Sequence, residues 1–542
     1  MTTASKPISS KTPVNGDVRV AAPSIVEANG SSDEDDRLAA LGYKAEFSRE
    51  FTNLSTISFA FSIMGVASSV ATTLNTPLLS GGPASVVWCW FIGSCMCFCL
   101  GTSIAEIISA YPTNGGLYSA SAYLVPKRYK ATVGWTVGWL NLLGQVAGVA
   151  STEFGLAQMI LAAATISTNG EYVATAGHTF GVYAALLIIH GFLNSFGTKI
   201  ISRITQIFVF VNLGALFAIV IALGVTCKDK HTASYVFTET TDGTGWGSTG
   251  LAFLFGLLSV QWTMTDYDAT AHISEEVKKA SVRAPVAIVI AVIGTGVCGF
   301  VYNIVYVLCS GPLSELPGPS GYAAATIITR NVGNRGFYVL WSFVCFTAFS
   351  VVSTAMQATA RTFHAFSRDR GLPDRGLFCK MSKQKVPVWS VWLVGVLCAL
   401  LGLLDFASSI AVQAVFSLCA IALDTSYIIP IACKLVFRDH PDVQYVPGPF
   451  SLGRGFLGHF IPGVAITWTC FVVVILALPE SIPVTASSMN YSSPILGAVV
   501  LGSWAWWWLG GRKHYEGPRN SHVEITEATE EKHEAIPDSS LA

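Results

Sequence analysis

The chain has 542 residues, 52% of them hydrophobic and only 12% charged, against the roughly 25% charge of a soluble domain. A formal net charge of −1 argues against nucleic acid as a partner, and 49 glycines with 14 tryptophans suit a chain that lives in and around a bilayer. These values exclude an ordinary soluble domain and describe a membrane protein.

Residues 1–46 are polar, contain the acidic run SSDEDD and lack the apolar core of a secretory signal. They are expected to form a disordered cytosolic tail. Twelve mainly apolar segments follow, near 54–79, 83–110, 133–165, 176–194, 200–225, 247–273, 284–310, 336–364, 387–404, 407–435, 457–478 and 492–511. Each approaches the about 20 residues that carry a helix across the hydrocarbon core. Residues 516–542 are again polar and acidic and are expected to be a second cytosolic tail, which leaves 47–515 as one transmembrane domain. The predicted class is an all-α integral membrane protein of 12 transmembrane helices.

Lys and Arg collect in alternate connections. One set holds Lys127, Arg128, Lys130, Lys278, Lys279, Arg283, Arg368, Arg370, Arg375, Lys380, Lys383 and Lys385, while the other holds Lys228, Lys230, Arg330 and Arg335. The positive-inside rule then places both termini in the cytosol. Of the Asn-x-Ser sequons at Asn29, Asn53 and Asn490, only the last falls outside on this topology. The 13 cysteines are scattered without a CxxC pair, so neither a metal site nor a disulfide framework is expected.

Two of the segments are interrupted. Span 6 runs LAFLFGLLSV and then turns polar, QWTMTDYDATAHISEE, over 261–276. Span 1 reads FAFSIMGVASSVATTL over 59–74, with Gly65 and a run of small or β-branched residues at mid-membrane. Backbone that leaves the helix at membrane depth is tolerated only where it lines a cavity or is buried in protein. Interruptions at matching positions of two halves point to a transporter's binding site. A break in span 6 frees carbonyls for an ammonium group, and the N-terminus of a second half-helix in span 1 offers N–H groups to a carboxylate. A zwitterion satisfies both.

Intramembrane ionisable residues are functional hypotheses by default. Asp266 and Asp268 are two residues apart and diverge by about 200° on a continuous helix, so one of them is expected to face the cavity. Asp266 is favoured for substrate or proton, against a plain helix-capping role. Glu106 in span 2 is weighed as a coupling residue against a structural pair with an inner cation. Gln145 and Glu153 share one face of span 3, with Gln145 assigned to the substrate and Glu153 to coupling or gating. Asp424 in span 10 and His190 in span 4 are further candidates. Glu275 and Glu276 are either an inner gate or a solvated helix end paired locally with Lys278 and Lys279. Thr113-Asn114-Gly115-Gly116 is expected to break span 2 so that the chain turns along the inner surface. No GxxxxGK[ST], HExxH or GxSxG motif is present, which argues against an ATP-driven pump and against an enzyme.

Three stretches carry a resemblance: FSIMGVASSV at 61–70, SIAEIISAYPTNGGLYSASAYLVPKRY at 103–129 and QWTMTDYDATAHISEEVKKASVRAP at 261–285. They resemble the fungal permeases for γ-aminobutyrate, choline and other amino acids of the amino acid–polyamine–organocation superfamily, over roughly 45–515. The resemblance implies a LeuT-like fold, two inverted five-helix repeats plus two C-terminal helices. It implies that Gly65, Val66, Ala67 and Ser68 line the carboxylate end of a central site. Trp262, Thr263, Met264 and Thr265 would line the other end, with the indole as a lid. Two departures stand out. Asp266 occupies a position where the superfamily often has glycine, and Asn212 of span 5 stands where some proton-coupled relatives carry lysine. The implied function is secondary transport of a small amino acid or related amine such as γ-aminobutyrate across the plasma membrane. An ion gradient, of protons, would drive it, with no cofactor and with lipid as the surrounding partner. Choline or a polyamine is the alternative cargo, and an exporter or intracellular carrier of a specialised metabolite the alternative role.

Overall fold

The computed structural model describes residues 35, 38–39, 41–407, 409–443, 445–485 and 489–518. Of the tails predicted for 1–46 and 516–542, residues 1–34, 36–37, 40 and 519–542, with the sequon at Asn29, lie outside the described residues. The described chain is helical, and its one β-bridge joins Phe51 to Val277. The helices are α1 (Asn53–Met64), α2 (Val66–Thr73), α3 (Pro83–Ala110), α4 (Gly116–Tyr123), α5 (Lys130–Ser167), α6 (Ala176–Asn194), α7 (Thr198–Thr226), α8 (Ala233–Thr238), α9 (Thr249–Leu254), α10 (Leu257–Thr263), α11 (Ala269–His272), α12 (Ala280–Leu308), α13 (Ala323–Arg368), α14 (Val388–Gly402), α15 (Ser409–Phe437), α16 (Leu457–Ala477) and α17 (Ser492–Leu509).

Among the described residues, 10 helices are long and apolar enough to cross a membrane, α1 and α2 together counting as one. Two predicted passes are not among them. The stretch 247–273 is divided into α9, α10 and α11, none longer than 7 residues. The stretch 492–511 is the 18-residue α17, whose apolar character is diluted by Trp504, Trp506, Trp507 and Trp508. The predicted span at 336–364 is the inner part of the longer α13, in which Gly333 leaves helical geometry at φ 72°, ψ 169°.

Burial sorts the helices into a centre and a rim. The α1–α2 pass and α5 are buried nearly throughout, whereas α6, α7, α14 and α16 bury about one face. The outer face of α7 presents Ile207, Phe210, Phe217, Ile221 and Val225. A continuous apolar surface of this kind is costly in water and costs nothing in lipid. The centre, by contrast, carries buried polar residues on α5, the α10–α11 connection and α13.

At the Lys- and Arg-rich end, hereafter the basic end, the chain before α1 packs onto the bundle. Phe51 exchanges backbone hydrogen bonds with the chain after α11, its N–H donating to the Glu276 carbonyl at 3.0 Å and the Lys278 N–H donating to the Phe51 carbonyl at 3.1 Å. The Tyr43 hydroxyl donates to Asp369 Oδ2 at 2.9 Å, and the Arg368 guanidinium lies 4.2 Å above the Tyr43 ring. Leu38 and Tyr43, within the stretch read from sequence as tail, are therefore buried.

Candidate functional site

The two interruptions meet at the centre of the bundle. The first pass breaks at Gly65, which is left-handed (φ 48°, ψ 49°) and ends α1 before α2 restarts. A Cβ at Gly65 would lie 2.0 Å from Val351 Cγ2 of α13, so glycine is required by backbone and by packing alike. Of the first amides of α2, Ala67 donates to Asn212 Oδ1 at 3.4 Å, and Ser68 and Ser69 donate to the Gly65 carbonyl. The second interruption separates α10 from α11. Met264 closes α10 by donating to the Val260 carbonyl at 2.9 Å, and Asp266 then adopts φ 61°. Aspartate tolerates the left-handed region better than most residues, so the backbone breaks here without a glycine.

A small cavity of about 20 Å³ lies at the junction, room for about one water. Ile63, Met64 and Ser69 line it from the first break, Trp262, Thr263, Thr265 and Asp266 from the second, Gly148 and Thr152 from α5, Val351 and Ala355 from α13, and Cys419 from α15. Gly148 keeps it open, since a Cβ there would lie 3.5 Å from Asp266 Oδ2 and 3.2 Å from Cys419 Sγ. Asp266 is 8% exposed, and its Oδ1 has no hydrogen-bond partner among the described residues.

Asp268 has a different setting. Its Oδ2 lies 2.9 Å from His272 Nε2 and accepts from Asn141 Nδ2 at 2.8 Å, while its Oδ1 accepts from the Tyr427 hydroxyl at 2.6 Å. Gln145 Nε2 donates to Asn141 Oδ1 at 3.0 Å, so Gln145 belongs to this network and is not in the cavity wall. Met264 also turns away, its sulfur accepting from Ser94 Oγ at 3.4 Å.

Above the cavity, on the side opposite the basic end, opens a vestibule of about 600 Å³ lined in part by Thr72, Asn75, Gln158, Tyr322, Asp405 and Phe416. The partition between the two spaces is aromatic. Trp262 lines the cavity, Phe416 lines the vestibule, and their ring centroids are 4.8 Å apart. The indole is fixed by Nε1 donating to Ser151 Oγ at 3.0 Å.

The basic end is closed by charge. Glu276 Oε1 accepts from Arg361 Nε at 2.7 Å, and both side chains are fully buried. Glu275 pairs with Arg368 at 3.0 Å and is held at both its backbone and its side chain by Asn114. Their partners are thus α13 cations, while Lys278 and Lys279 are exposed. The predicted turn at 113–116 is the socket for this closure, since the Asn114 carbonyl also lies 3.1 Å from His272 Nδ1. Glu106 pairs with Lys434 of α15 and accepts from Ser451 Oγ and the Leu452 N–H. That arrangement ties α3 to α15 and to the connection before α16.

Three more candidates lie away from the cavity wall. Asp424 accepts from Gln261 Nε2 at 2.8 Å. Glu153 lies 3.0 Å from His190, both fully buried. Asn141, His272, Tyr427, Arg361 and Arg368 were missed from sequence. A usable signal existed for His272, four residues after Asp268 on a helix, and for Arg361 and Arg368, seven apart on one face. The Tyr427 contact has no local signature.

The family model described as "Amino acid permease" matches residues 51–501. The chain belongs to the amino acid permease family. An uncharacterised amino-acid permease of Schizosaccharomyces pombe is 47% identical over 494 residues, 90% of each chain. Amino-acid permease 2 of Neurospora crassa is 37% identical over 94% of this chain and 92% of its own. The GABA-specific permease of Saccharomyces cerevisiae is 29% identical over 93% of this chain and 89% of its own. The present permease is accordingly an integral multi-pass membrane protein of the transporter class.

Proposed function

We propose that this permease is a secondary active transporter that moves a small amino acid or related amine, such as γ-aminobutyrate, by alternating access, driven by a proton gradient. On this reading the chain makes twelve passes with both termini in the cytosol, passes 1–5 and 6–10 forming inverted repeats and two more following. The plasma membrane is the proposed site, and 47–515 the transport domain. The observation that carries the reading is the meeting of two mid-bundle breaks, at Gly65 and Asp266, beside one cavity lined by Asp266, whose Oδ1 has no hydrogen-bond partner among the described residues. Gly65, Val66, Ala67 and Ser68 do not line the closed cavity, and the Ala67 and Ser68 amides are already bonded. On this reading the first break must therefore open before the positive end of α2 receives a carboxylate, while Asp266 with the carbonyls of Thr263 and Thr265 receives an ammonium.

A cavity of about 20 Å³ is too small for an amino acid, so binding requires the α10 and α5 walls to separate. The thin Trp262–Phe416 partition makes opening towards the vestibule the easier movement, and the ion pairs of Glu275 and Glu276 make the basic end the harder gate. Asp266 also favours a second reading of the cargo, choline or a polyamine, because one carboxylate beside an indole suits a cation that brings no carboxylate of its own. The test is uptake of radiolabelled γ-aminobutyrate, choline, putrescine and neutral amino acids by cells lacking their own permeases. Accumulation of γ-aminobutyrate or a neutral amino acid supports the first reading, accumulation of choline or putrescine alone the second, and accumulation of none overturns both.

A further inference from the structure

One pair of buried ionisable groups has no part in the site or in the closure of the basic end. Glu153 of α5 and His190 of α6 are both fully buried, with Oε2 and Nδ1 3.0 Å apart. On its other side, His190 Nε2 lies 3.1 Å from the Phe349 carbonyl of α13, and the Phe349 ring packs 4.1 Å from the imidazole. A carbonyl oxygen can only accept, so Nε2 carries a hydrogen. The 3.0 Å contact is an ion-pair distance without hydrogen-bond alignment, and neither Glu153 oxygen nor His190 Nδ1 has a hydrogen-bond partner among the described residues. Once aligned by a small rotation, the pair holds one proton in either of two states: a neutral imidazole accepting from a Glu153 carboxylic acid, or an imidazolium donating to a Glu153 carboxylate. Both states hold one shared proton and are neutral as a pair. Loss of that proton leaves a carboxylate facing a ring lone pair, which is a buried uncompensated charge.

The surroundings offer nothing else to neutralise it. Among the described residues, His190 is the one basic side chain within ion-pair distance of Glu153. The other ionisable side chains facing the pair are the Tyr183 phenol of α6 and the Cys398 thiol of α14. The Tyr183 hydroxyl is itself engaged, donating to the Cys398 carbonyl at 2.7 Å. From α13 the pair meets the Phe349 carbonyl and ring.

Three consecutive residues connect this pair to the site. Ser151 accepts from the Trp262 indole, Thr152 lines the cavity, and Glu153 meets His190. On the facing helix, Phe349 precedes the cavity residue Val351 by two positions. Movement of α5 against α13 to admit a substrate therefore also moves the two sides of the proton site.

The geometry points to the Glu153–His190 pair as the proton-binding site of the transport cycle, separate from the carboxylate that receives the substrate amine. This rests on the gradient-driven reading above. A proton from water on the high-proton side adds to the pair when α5, α6 and α13 part towards that side. It returns to water when they part towards the other, and only O–H and N–H bonds form or break.

The test uses the full chain in proteoliposomes with a radiolabelled mixture of γ-aminobutyrate, choline, putrescine and the protein amino acids. Two transport modes are read, exchange against internal unlabelled solute and accumulation driven by an imposed pH gradient. Glu153→Gln and His190→Gln are expected to keep at least a third of wild-type exchange while gradient-driven accumulation falls tenfold or more and loses its dependence on external pH. Glu153→Asp is expected to restore part of the accumulation. The double substitution Glu153→Gln, His190→Gln places two neutral amides in hydrogen-bond reach. It separates loss of the proton from loss of the helix contact, and the same pattern is expected of it. Wild-type accumulation with an unchanged pH profile in these variants overturns the assignment while leaving the transport reading intact. A wild-type protein that exchanges none of the mixture overturns the transport reading and this assignment with it.

Discussion

Asp266 joins a left-handed backbone to a buried carboxylate with one oxygen unpartnered among the described residues, and the two properties can be separated by mutation. Asp266→Gly keeps the backbone break and removes the charge, whereas Asp266→Asn keeps the shape. A hydrogen bond to a charged group contributes about 1.5–3 kcal/mol, so both variants are expected to lose roughly 10- to 100-fold in transport while reaching the membrane. Uptake normalised to surface protein checks this. Asp369 beyond the end of α13 makes a different kind of prediction. Burial, partly offset by Arg368 and the Tyr43 and Tyr118 hydroxyls, pushes its carboxyl up to about 6. Because the folded value lies above the ordinary one, ionisation works against the fold. The stabilising contribution is complete below the ordinary carboxylate range and lost as pH rises through about 6. Asp369→Asn is therefore expected to raise the melting temperature near pH 7.5, with the gain shrinking as pH falls from about 6 towards the ordinary carboxylate range, read by thermal unfolding in detergent.

At the scale of the elements, the break between α1 and α2 depends on Gly65 more than on the small residues around it. Gly65→Ala meets Val351 and a positive φ together, and each strained residue of this kind costs on the order of 1–3 kcal/mol. Transport is expected to be abolished, and the pair Gly65→Ala, Val351→Ala to recover the packing but not the activity, as followed by yield of folded protein and by uptake. The closure of α11 against α13 depends on the buried Glu276–Arg361 pair. Removing one member of such a pair typically costs about 3–5 kcal/mol, while replacing both can be neutral. Glu276→Gln and Arg361→Met should each lower the melting temperature further than the two together. These elements also show what could be read in advance. The breaks at Gly65 and in the polar run 263–268 were legible, because glycine and clustered polar residues inside apolar segments are local signals. The division of the predicted sixth span, 247–273, into three short helices was blurred by its apolar first half. The partners Arg361, Arg368 and Tyr427 lie 85 to 159 residues from the carboxylates they meet, and no periodicity within one segment reports a contact between segments.

At the scale of the whole molecule, the two sides of the cavity are sealed unequally. One aromatic pair stands between it and a vestibule of about 600 Å³, whereas the other side carries two ion pairs, the Asp268 network and the docked chain at 43–51. On the proposed alternating-access reading, that asymmetry corresponds to a carrier closed at its basic end and opening first on the opposite side. The most direct measurement is accumulation of radiolabelled γ-aminobutyrate and neutral amino acids by permease-deficient cells expressing the chain or its Asp266→Asn variant, at two external pH values. The account predicts that the wild-type chain concentrates at least one of these solutes above the medium, more so at the lower pH, and that the variant stays near background at equal surface level. Equal accumulation by both, or none by the wild type, would contradict it.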